Sequence, residues 1–188
     1  MAQSIELILD PVTDAAITAQ WQALADAGLP TSLRPEPDQH HRPHLTLYAA
    51  DALPDGVEDG LPAVVANLDL RVRVGSLMIF GPRRGSCVLT RQVVPSIELL
   101  DLQARVARLC RADRSGSFGP GRWSPHITIA RRMPVTQIGA AVATLAHSGR
   151  ELDSRVRQCR RWDGHRRTAW WVAPPRPEPV DGPELSLG

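Results

Sequence analysis

The chain has 188 residues and a mass of 20.6 kDa, and 43% of its residues are hydrophobic. This apolar fraction is large enough to bury a core and excludes wholesale disorder, and the apolar runs are far shorter than the roughly 20 residues of a membrane span. The net charge is only +2, and all 22 basic residues are arginines. Acidic residues concentrate in the first 70 positions and arginines in the next hundred, a distribution that favours an anionic ligand.

Alternation, helical spacing and the Pro and Gly positions predict the elements in chain order. The strands are predicted over 4–10, 44–48, 68–79, 87–94, 126–130, 156–161 and 168–172, with a polar loop over 51–62. The helices are predicted from Thr13 or Asp14 to about Ala27, over 95–110, and from Pro134. The second helix has Ile97, Leu100, Ala104 and Ala107 on one face, and the third has Val135, Ile138, Val142 and Leu145. We predict one α+β domain over residues 1–172. Residues 173–188, rich in proline and acids, are predicted to be a disordered tail.

Cysteine use and the N-terminus bear on the compartment. The three cysteines, Cys87, Cys110 and Cys159, are far apart and form no Cys-x-x-Cys pair. The first residues carry no basic region of the kind that begins a signal peptide. We therefore expect a cytoplasmic protein with reduced, packed thiols, and a monomer without membrane contact.

One five-residue pattern occurs twice in the chain. Pro43-His44-Leu45-Thr46-Leu47 and Pro125-His126-Ile127-Thr128-Ile129 both follow Pro-His-apolar-Thr-apolar. Side chains alternate between the faces of a strand, so the His and Thr of each copy share one face and the apolar residues face the core. A single His-x-Thr is usually accidental, but two copies on predicted strands predict one cleft with two imidazoles and two hydroxyls.

These four groups suit displacement at phosphorus. One imidazole can take a proton from the attacking nucleophile while the other gives a proton to the leaving oxygen, because imidazole titrates near neutral pH. The hydroxyls of Thr46 and Thr128 can donate hydrogen bonds to the non-bridging phosphate oxygens. This chemistry requires no metal and no other cofactor. The residues alone leave open which of His44 and His126 is the acid.

The two motifs and their spacing resemble the 2H phosphoesterase superfamily, in particular its bacterial 2'-5' RNA ligase, or RNA 2',3'-cyclic phosphodiesterase, family. The resemblance implies a bilobal fold with two pseudo-symmetric half-domains whose antiparallel sheets form a central cleft. It also implies opening of a 2',3'-cyclic phosphate to a 2'-phosphate, with reverse 2'-5' ligation at the same site. His44 would be the general acid and His126 the general base, and the substrate would be an RNA end or a small cyclic nucleotide. The alternative is a nucleotide- or RNA-binding module with the same fold and little turnover.

Four further residues are candidates around the motifs. Strand parity places Arg132 on the face of His126, but the resemblance, and a strand that bulges or ends at Ala130, favour Arg131 as a phosphate ligand. Tyr48, predicted on the face of His44, and Trp123, in the loop before the second motif, are candidates for stacking on a base. Each aromatic residue is equally well explained by packing.

A zinc site is the remaining alternative. His40, His41 and His44 lie close together in sequence. Adjacent histidines of an extended chain point apart, and no fourth ligand stands at metal spacing, so we do not favour a zinc site.

Overall fold

The computed structural model describes residues 3–35, 40–148 and 151–172. The strands of these ranges are Gln3–Ile8 (β1), His44–Ala50 (β2), Leu70–Arg83 (β3), Ser86–Val94 (β4), His126–Pro134 (β5), Leu152–Val156 (β6), Gln158–Asp163 (β7) and Thr168–Trp171 (β8). The helices are Pro11–Asp26 (α1), Val57–Val65 (α2), Ile97–Leu109 (α3) and Ile138–Leu145 (α4). The tail that we predicted to be disordered lies outside the described residues.

All the described strands belong to one antiparallel sheet of order β6-β3-β4-β5-β2-β1-β7-β8. Its two four-stranded halves meet where β2 pairs with β5, through the single residue pair Leu45 and Ile127. Helices α1 and α4 pack together, α1 against β5 and β6, whereas α3 packs against α2, β2 and β3. The predicted α+β fold with two pseudo-symmetric halves is confirmed. The two expected sheets are joined into one where β2 pairs with β5.

The apolar residues of the two motifs form the centre of the core. Leu45, Leu47, Ile127 and Ile129 are completely buried, and each contributes about 1.5–3 kcal/mol by leaving water. The histidines and threonines between them are half-buried on the opposite face. Burial of the alternate residues therefore fixes which face of the sheet carries the polar groups.

Helix α1 begins earlier than the sequence predicted. The cap is Asp10, whose carboxylate accepts from the backbone N–H of Thr13 at 2.9 Å, and Pro11 takes the first helical position. Proline is tolerated there because its missing N–H would have no partner within the helix. Ile17, Trp21 and Leu24, which follow at helical spacing, are buried.

The predicted loop over 51–62 is wrong, because helix α2 occupies Val57–Val65. Val57, Leu61 and Val65 follow at intervals of four and are buried against the core. Pro62 inside the helix and Gly56 before it concealed this spacing. Burial of one helical face outweighs the cost of an internal proline here.

The buried faces of α3 and α4 also differ from the prediction. Ile97 is 83% exposed and Leu100 is 44% exposed. The residues of α3 that are buried are Leu99, Leu102, Gln103, Val106 and Ala107, and those of α4 are Ala141 and Leu145. Two faces of α3 carry apolar residues at helical spacing. The face that packs on the core is the one with the larger side chains along its whole length, and it is not the predicted face. The predicted helix from Pro134 begins instead with a 3₁₀ turn at Val135–Gln137.

The predicted strand over 156–161 is two strands. β6 pairs with β3 in one half of the sheet, and β7 pairs with β1 in the other half. Only Arg157 separates them in sequence. The chain thus passes from one half of the sheet to the other at this residue, which places β7 beside the first motif.

Candidate active site

The two motifs lie side by side at the centre of the sheet. Because β2 and β5 are antiparallel and pair at Leu45 and Ile127, the register directs the histidine of each motif toward the threonine of the other. His44, Thr46, His126 and Thr128 all line one cleft with a volume of about 500 Å³. The predicted meeting of two imidazoles and two hydroxyls is observed.

A β-bulge in each motif strand decides which later residues reach the cleft. In β5, Thr128 pairs with Thr90 but Ala130 pairs with Leu89, so Ile129 is the extra residue. The bulge reverses the alternation, and Arg131 lines the cleft. Arg132 has a φ of +57° at a second irregularity and is exposed. The structure therefore places Arg131, the residue we favoured, beside the motif.

The same bulge in β2 removes Tyr48 from the cleft. Glu6 of β1 pairs with Thr46, and Ile5 pairs with Tyr48, so Leu47 is the extra residue. Tyr48 is 9% exposed and packs in the core, with its ring 5.5 Å from that of Phe118. Our prediction that Tyr48 shares the face of His44 is wrong, and Ala49 lines the cleft instead.

Both motif histidines have the same tautomer. Nδ1 of His44 lies 2.8 Å from the carbonyl oxygen of Arg42, and Nδ1 of His126 lies 2.7 Å from that of Ser124. A carbonyl oxygen can only accept, so Nδ1 carries the hydrogen in each ring. Nε2 of each ring is then the atom that can exchange a proton with a substrate.

A buried carboxylate faces His44. Oε1 of Glu6 lies 3.5 Å from Nε2 of His44, and Oε2 lies 2.8 Å from the guanidinium of Arg160. Burial raises the pKa of Glu6, but His44, Arg160 and a hydrogen bond from Ser4 outweigh it, and the pKa lies below its ordinary value. Glu6 is therefore a carboxylate, and its negative charge faces Nε2 of His44.

The surroundings of His126 are apolar and positive. Its ring contacts Phe80 edge to face, with 4.7 Å between the ring centroids. Burial lowers the pKa of His126 below its ordinary value, the hydrogen bond to Ser124 opposes this shift, and Arg131 and His44 lower the pKa further. His126 is thus held neutral near pH 7, with Nε2 able to accept a proton.

Two tryptophans donate hydrogen bonds to corresponding carbonyl groups of the two motif strands. Nε1 of Trp123 donates to the carbonyl oxygen of Thr46 at 3.1 Å, and Nε1 of Trp21 donates to that of Thr128 at 3.0 Å. Trp123 packs against the core and does not line the cleft described above, which gives it a structural role. Trp21 does line the cleft.

Sequence reasoning missed Glu6, Arg160 and Phe80. Glu6 gave a signal because it lies among the apolar residues Ile5, Leu7 and Ile8 of the first strand, and a charge is buried in a strand only when it is paired. Arg160 and Phe80 gave no such signal, since their proximity to the motifs depends on the order of the strands. The pair of Glu6 and Arg160 lies in one half of the sheet and Phe80 in the other. The two histidines therefore have different surroundings.

His40, His41 and His44 do not converge. The ring of His41 stacks on Trp21, and that of His40 lies 6.4 Å from Trp162. Within residues 3–35, 40–148 and 151–172, no group of three or more His, Cys, Asp or Glu side chains could hold a metal ion. In the same part of the chain, no helix is long and apolar enough to cross a membrane.

Comparisons with known proteins give the same picture as the motifs. The sequence profile of the 2'-5' RNA ligase superfamily matches residues 13–171, and no curated protein matches the chain. The structure of TT0787 of Thermus thermophilus is similar with a TM-score of 0.58 and 18% identity, over 92% of this chain and 96% of that one. A structure of Kluyveromyces marxianus Usb1 with uridine monophosphate has a TM-score of 0.51 and 11% identity, over 91% and 97% of the chains. At these identities the structural similarity concerns the fold.

Proposed function

Because the chain belongs to the 2'-5' RNA ligase superfamily of 2H phosphoesterases, whose members act on phosphodiester bonds, we propose that it opens 2',3'-cyclic phosphates to 2'-phosphates. The proposal depends on one observation above all. Of two histidines with the same tautomer in one cleft, His44 faces a buried carboxylate, and His126 is desolvated beside an arginine. One imidazole thus faces a negative charge and the other a positive one, an asymmetry that suits a division of the acid and base roles.

The proposed reaction is a displacement by water at phosphorus. Nε2 of His126 takes a proton from water as the water oxygen bonds to phosphorus. The bond from phosphorus to the 3' oxygen breaks, and Nε2 of His44 gives its proton to that oxygen. The products are a 2'-phosphomonoester and a 3' hydroxyl, and the two histidines have exchanged protonation states, which solvent then restores.

Charge on the phosphate is held by the remaining groups of the centre. The hydroxyls of Thr46 and Thr128 donate to the non-bridging oxygens, and Arg131 supplies a positive charge at the end of the second motif. The separation of 3.5 Å between Glu6 and His44 exceeds ordinary hydrogen-bond length. The proton on Nε2 of His44 is therefore available to the leaving oxygen, with Glu6 acting through its charge.

The proposed substrates are RNA ends or nucleotides that carry a 2',3'-cyclic phosphate. The similarly folded Usb1 structure contains uridine monophosphate, which is a nucleotide. Ligation of a 2'-5' bond is the same displacement with a 5' hydroxyl in place of water, and the same groups would catalyse it.

Phosphorus NMR tests the proposal. Wild type, His44→Ala and His126→Ala are incubated with 2',3'-cyclic nucleotides in EDTA. His165→Ala is a matched control, because this histidine is exposed in the turn after β7. We expect a 2'-phosphate from wild type and the control only, with a loss of at least about 100-fold in the two motif variants. Tight nucleotide binding without product would instead indicate a binding module.

A further inference from the structure

A second cavity lies beside the loop that precedes β5. Its volume is about 520 Å³, and of the described residues none lines both this cavity and the cleft. Phe118 and His126 line the cleft, whereas five of the residues between them, from Pro120 to Pro125, line the second cavity. The segment 120–125, called the wall below, therefore connects two residues of the cleft and borders the other cavity.

The lining of the second cavity is mainly apolar. Three prolines, Trp123 and Met78 contribute to it, and a thioether such as that of methionine contacts aromatic rings favourably. None of the described residues that line it carries a charge, whereas Glu6 and Arg131 line the cleft. Such a lining disfavours an ion and suits a neutral ligand with flat apolar faces.

Helix α3 directs apolar side chains into this cavity. Leu100 and Ala104 belong to the face that was predicted to be buried in the core, and both line the cavity instead. Leu100 is 44% exposed and Ala104 is half-buried. Small-molecule sites in proteins are concave and mostly apolar, with volumes of about 300–1,000 Å³. The cavity has the size and the lining of such a site.

Gln103 places a hydrogen-bond acceptor at this cavity. Its side chain is 4% exposed, and Nε2 donates to the carbonyl oxygens of Phe118 at 3.0 Å and Leu47 at 3.4 Å. Both partners can only accept, so these contacts identify the nitrogen and the oxygen of the amide. In the part of the chain that the structure describes, no donor reaches Oε1. Because Gln103 lines the cavity, a ligand with an N–H or O–H group can satisfy this buried acceptor.

The wall is bonded to both motifs. The carbonyl oxygen of Ser124 accepts from Nδ1 of His126 at 2.7 Å, and Nε1 of Trp123 donates to the carbonyl oxygen of Thr46 at 3.1 Å. Trp123 and Ser124 both line the second cavity. A ligand in this cavity therefore contacts the residues that orient the ring of His126 and fix its tautomer.

We propose that this cavity is an effector site, which binds a neutral planar aromatic molecule with an N–H or O–H donor and acts on His126 through Ser124. The inference goes beyond the proposed function and requires no particular substrate in the cleft. A ligand changes the cleft only if it binds two arrangements of the wall unequally. Gly121, with a φ of +72°, is a position in the wall where a change of backbone conformation costs little.

Indole is the probe for this site. Benzofuran is its control, because it has the same ring system with an oxygen in place of the N–H. Calorimetry with wild type measures the affinity of each compound. We expect benzofuran to bind about fivefold more weakly, since the hydrogen bond to Gln103 is lost. Equal affinities would overturn the proposed role of this acceptor.

Ala104→Leu tests where indole binds. The longer side chain fills the cavity from α3, and leucine keeps a high helix propensity. We expect the affinity for indole to fall at least about tenfold, because the ligand loses the apolar volume that it would occupy. Ala140→Leu, the same change at an exposed position of α4, is the matched control and should bind indole as wild type does. Indole binding that Ala104→Leu leaves unchanged would overturn the site.

A second pair of variants covers the case in which Ala104→Leu does not fold. Leu100→Glu places a charge on the uncharged lining, and we expect it to weaken indole binding at least about tenfold. Ile97→Glu is its control, since Ile97 is 83% exposed on the same helix and is not among the lining residues. Equal losses in the two variants would contradict the proposal.

NMR measures the action on His126. We expect saturating indole to move the Cε1–H resonance of His126 and to leave that of His165, exposed in the turn after β7, in place. An unmoved resonance of His126 would overturn the effector role. If wild type opens no cyclic phosphate, the proposed function fails, but the indole affinities and this resonance still decide the inference.

Discussion

Oε1 of Glu6 lies 3.5 Å from Nε2 of His44 on the inner face of the cleft. Glu6 is only 3% exposed, and its other oxygen bonds the buried guanidinium of Arg160. The equivalent place in the other half of the sheet holds Thr90, which pairs with Thr128 as Glu6 pairs with Thr46. This one difference between the halves therefore gives two histidines in identical motifs different electrostatic surroundings.

We predict that Glu6→Gln lowers kcat/KM for a cyclic nucleotide about tenfold, which is part of the roughly 10²–10⁴-fold that a general acid contributes. The substitution keeps the shape of the side chain and removes the negative charge that lies 3.5 Å from Nε2 of the proposed general acid, His44. The measurement is kcat/KM for a cyclic nucleotide over the pH range in which the variant stays folded.

Glu58→Gln is the control for this variant. Glu58 pairs with Arg161 at 2.8 Å. The substitution therefore also removes a carboxylate from an arginine of β7, but on the face of the sheet opposite the cleft. We expect kcat/KM of Glu58→Gln to match wild type. An unchanged kcat/KM in Glu6→Gln would mean that the carboxylate does not act on His44.

The acid limb of the same profile should lie below pH 6.5. His126 must be neutral to accept a proton, and its pKa is lowered from 6.5 by burial, Arg131 and His44. Activity is then full above the lowered pKa and falls as the pH decreases through it. An acid limb centred above 6.5 in the wild-type kcat/KM profile would exclude His126, in this environment, as the base.

Substitution of Arg131 should affect phosphate binding much more than substitution of the adjacent Arg132. Arg131→Gln removes a charge from the cleft, and we expect about a tenfold loss of affinity for inorganic phosphate, because hydrogen bonds to a charged group contribute about 1.5–3 kcal/mol. It should also move the acid limb toward 6.5, since Arg131 lowers the pKa of His126. Arg132→Gln, in the exposed neighbour, should change neither quantity. Equal effects of the two substitutions would contradict the bulge at Ile129.

The reacting centre was predictable from the sequence because it depends on local alternation. A strand that buries Leu45 must present its neighbours His44 and Thr46 on the other face, and this holds for both motifs. One extra residue in a strand reverses the alternation of side chains between the two faces of the sheet. The sequence contains no sign of the bulges at Leu47 and Ile129, and that is why Tyr48 was misplaced and Arg131 needed the family resemblance.

The groups that give the two histidines different surroundings could not be placed beside the motifs from the sequence. Glu6, Phe80 and Arg160 reach the cleft from strands whose neighbours are set by long-range pairing, and β7 joins β1 after most of the chain has intervened. Sequence separation carries no information on such pairing. Helix α2 was missed for another reason, because Pro62 weakens the local pattern while burial of Leu61 stabilises the helix.

Trp21→Phe and Trp123→Phe should each lower the free energy of unfolding by about 1 kcal/mol. Each substitution keeps an aromatic ring and removes the N–H that satisfies the carbonyl oxygen of a motif threonine, and a hydrogen bond of this kind contributes about 0.5–1.5 kcal/mol. Urea unfolding of both variants measures the change. Because Trp171 is 45% exposed, Trp171→Phe is the control, and a loss as large in this variant would show that the hydrogen bonds are not the cause.

Glu6 should also make the stability of the protein depend on pH in the acid range. Its pKa in the folded protein lies below the ordinary value of 4.5, so the unfolded chain binds the proton more readily. The stabilisation from the ionised carboxylate is therefore complete above pH 4.5 and is lost as the pH falls through the lower, folded pKa. Glu6→Gln cannot ionise, and the difference in Tm between wild type and this variant should be largest near pH 7 and shrink below pH 4.5. Thermal unfolding across this range measures it, and a difference that stays constant would show that the charge of Glu6 does not stabilise the fold.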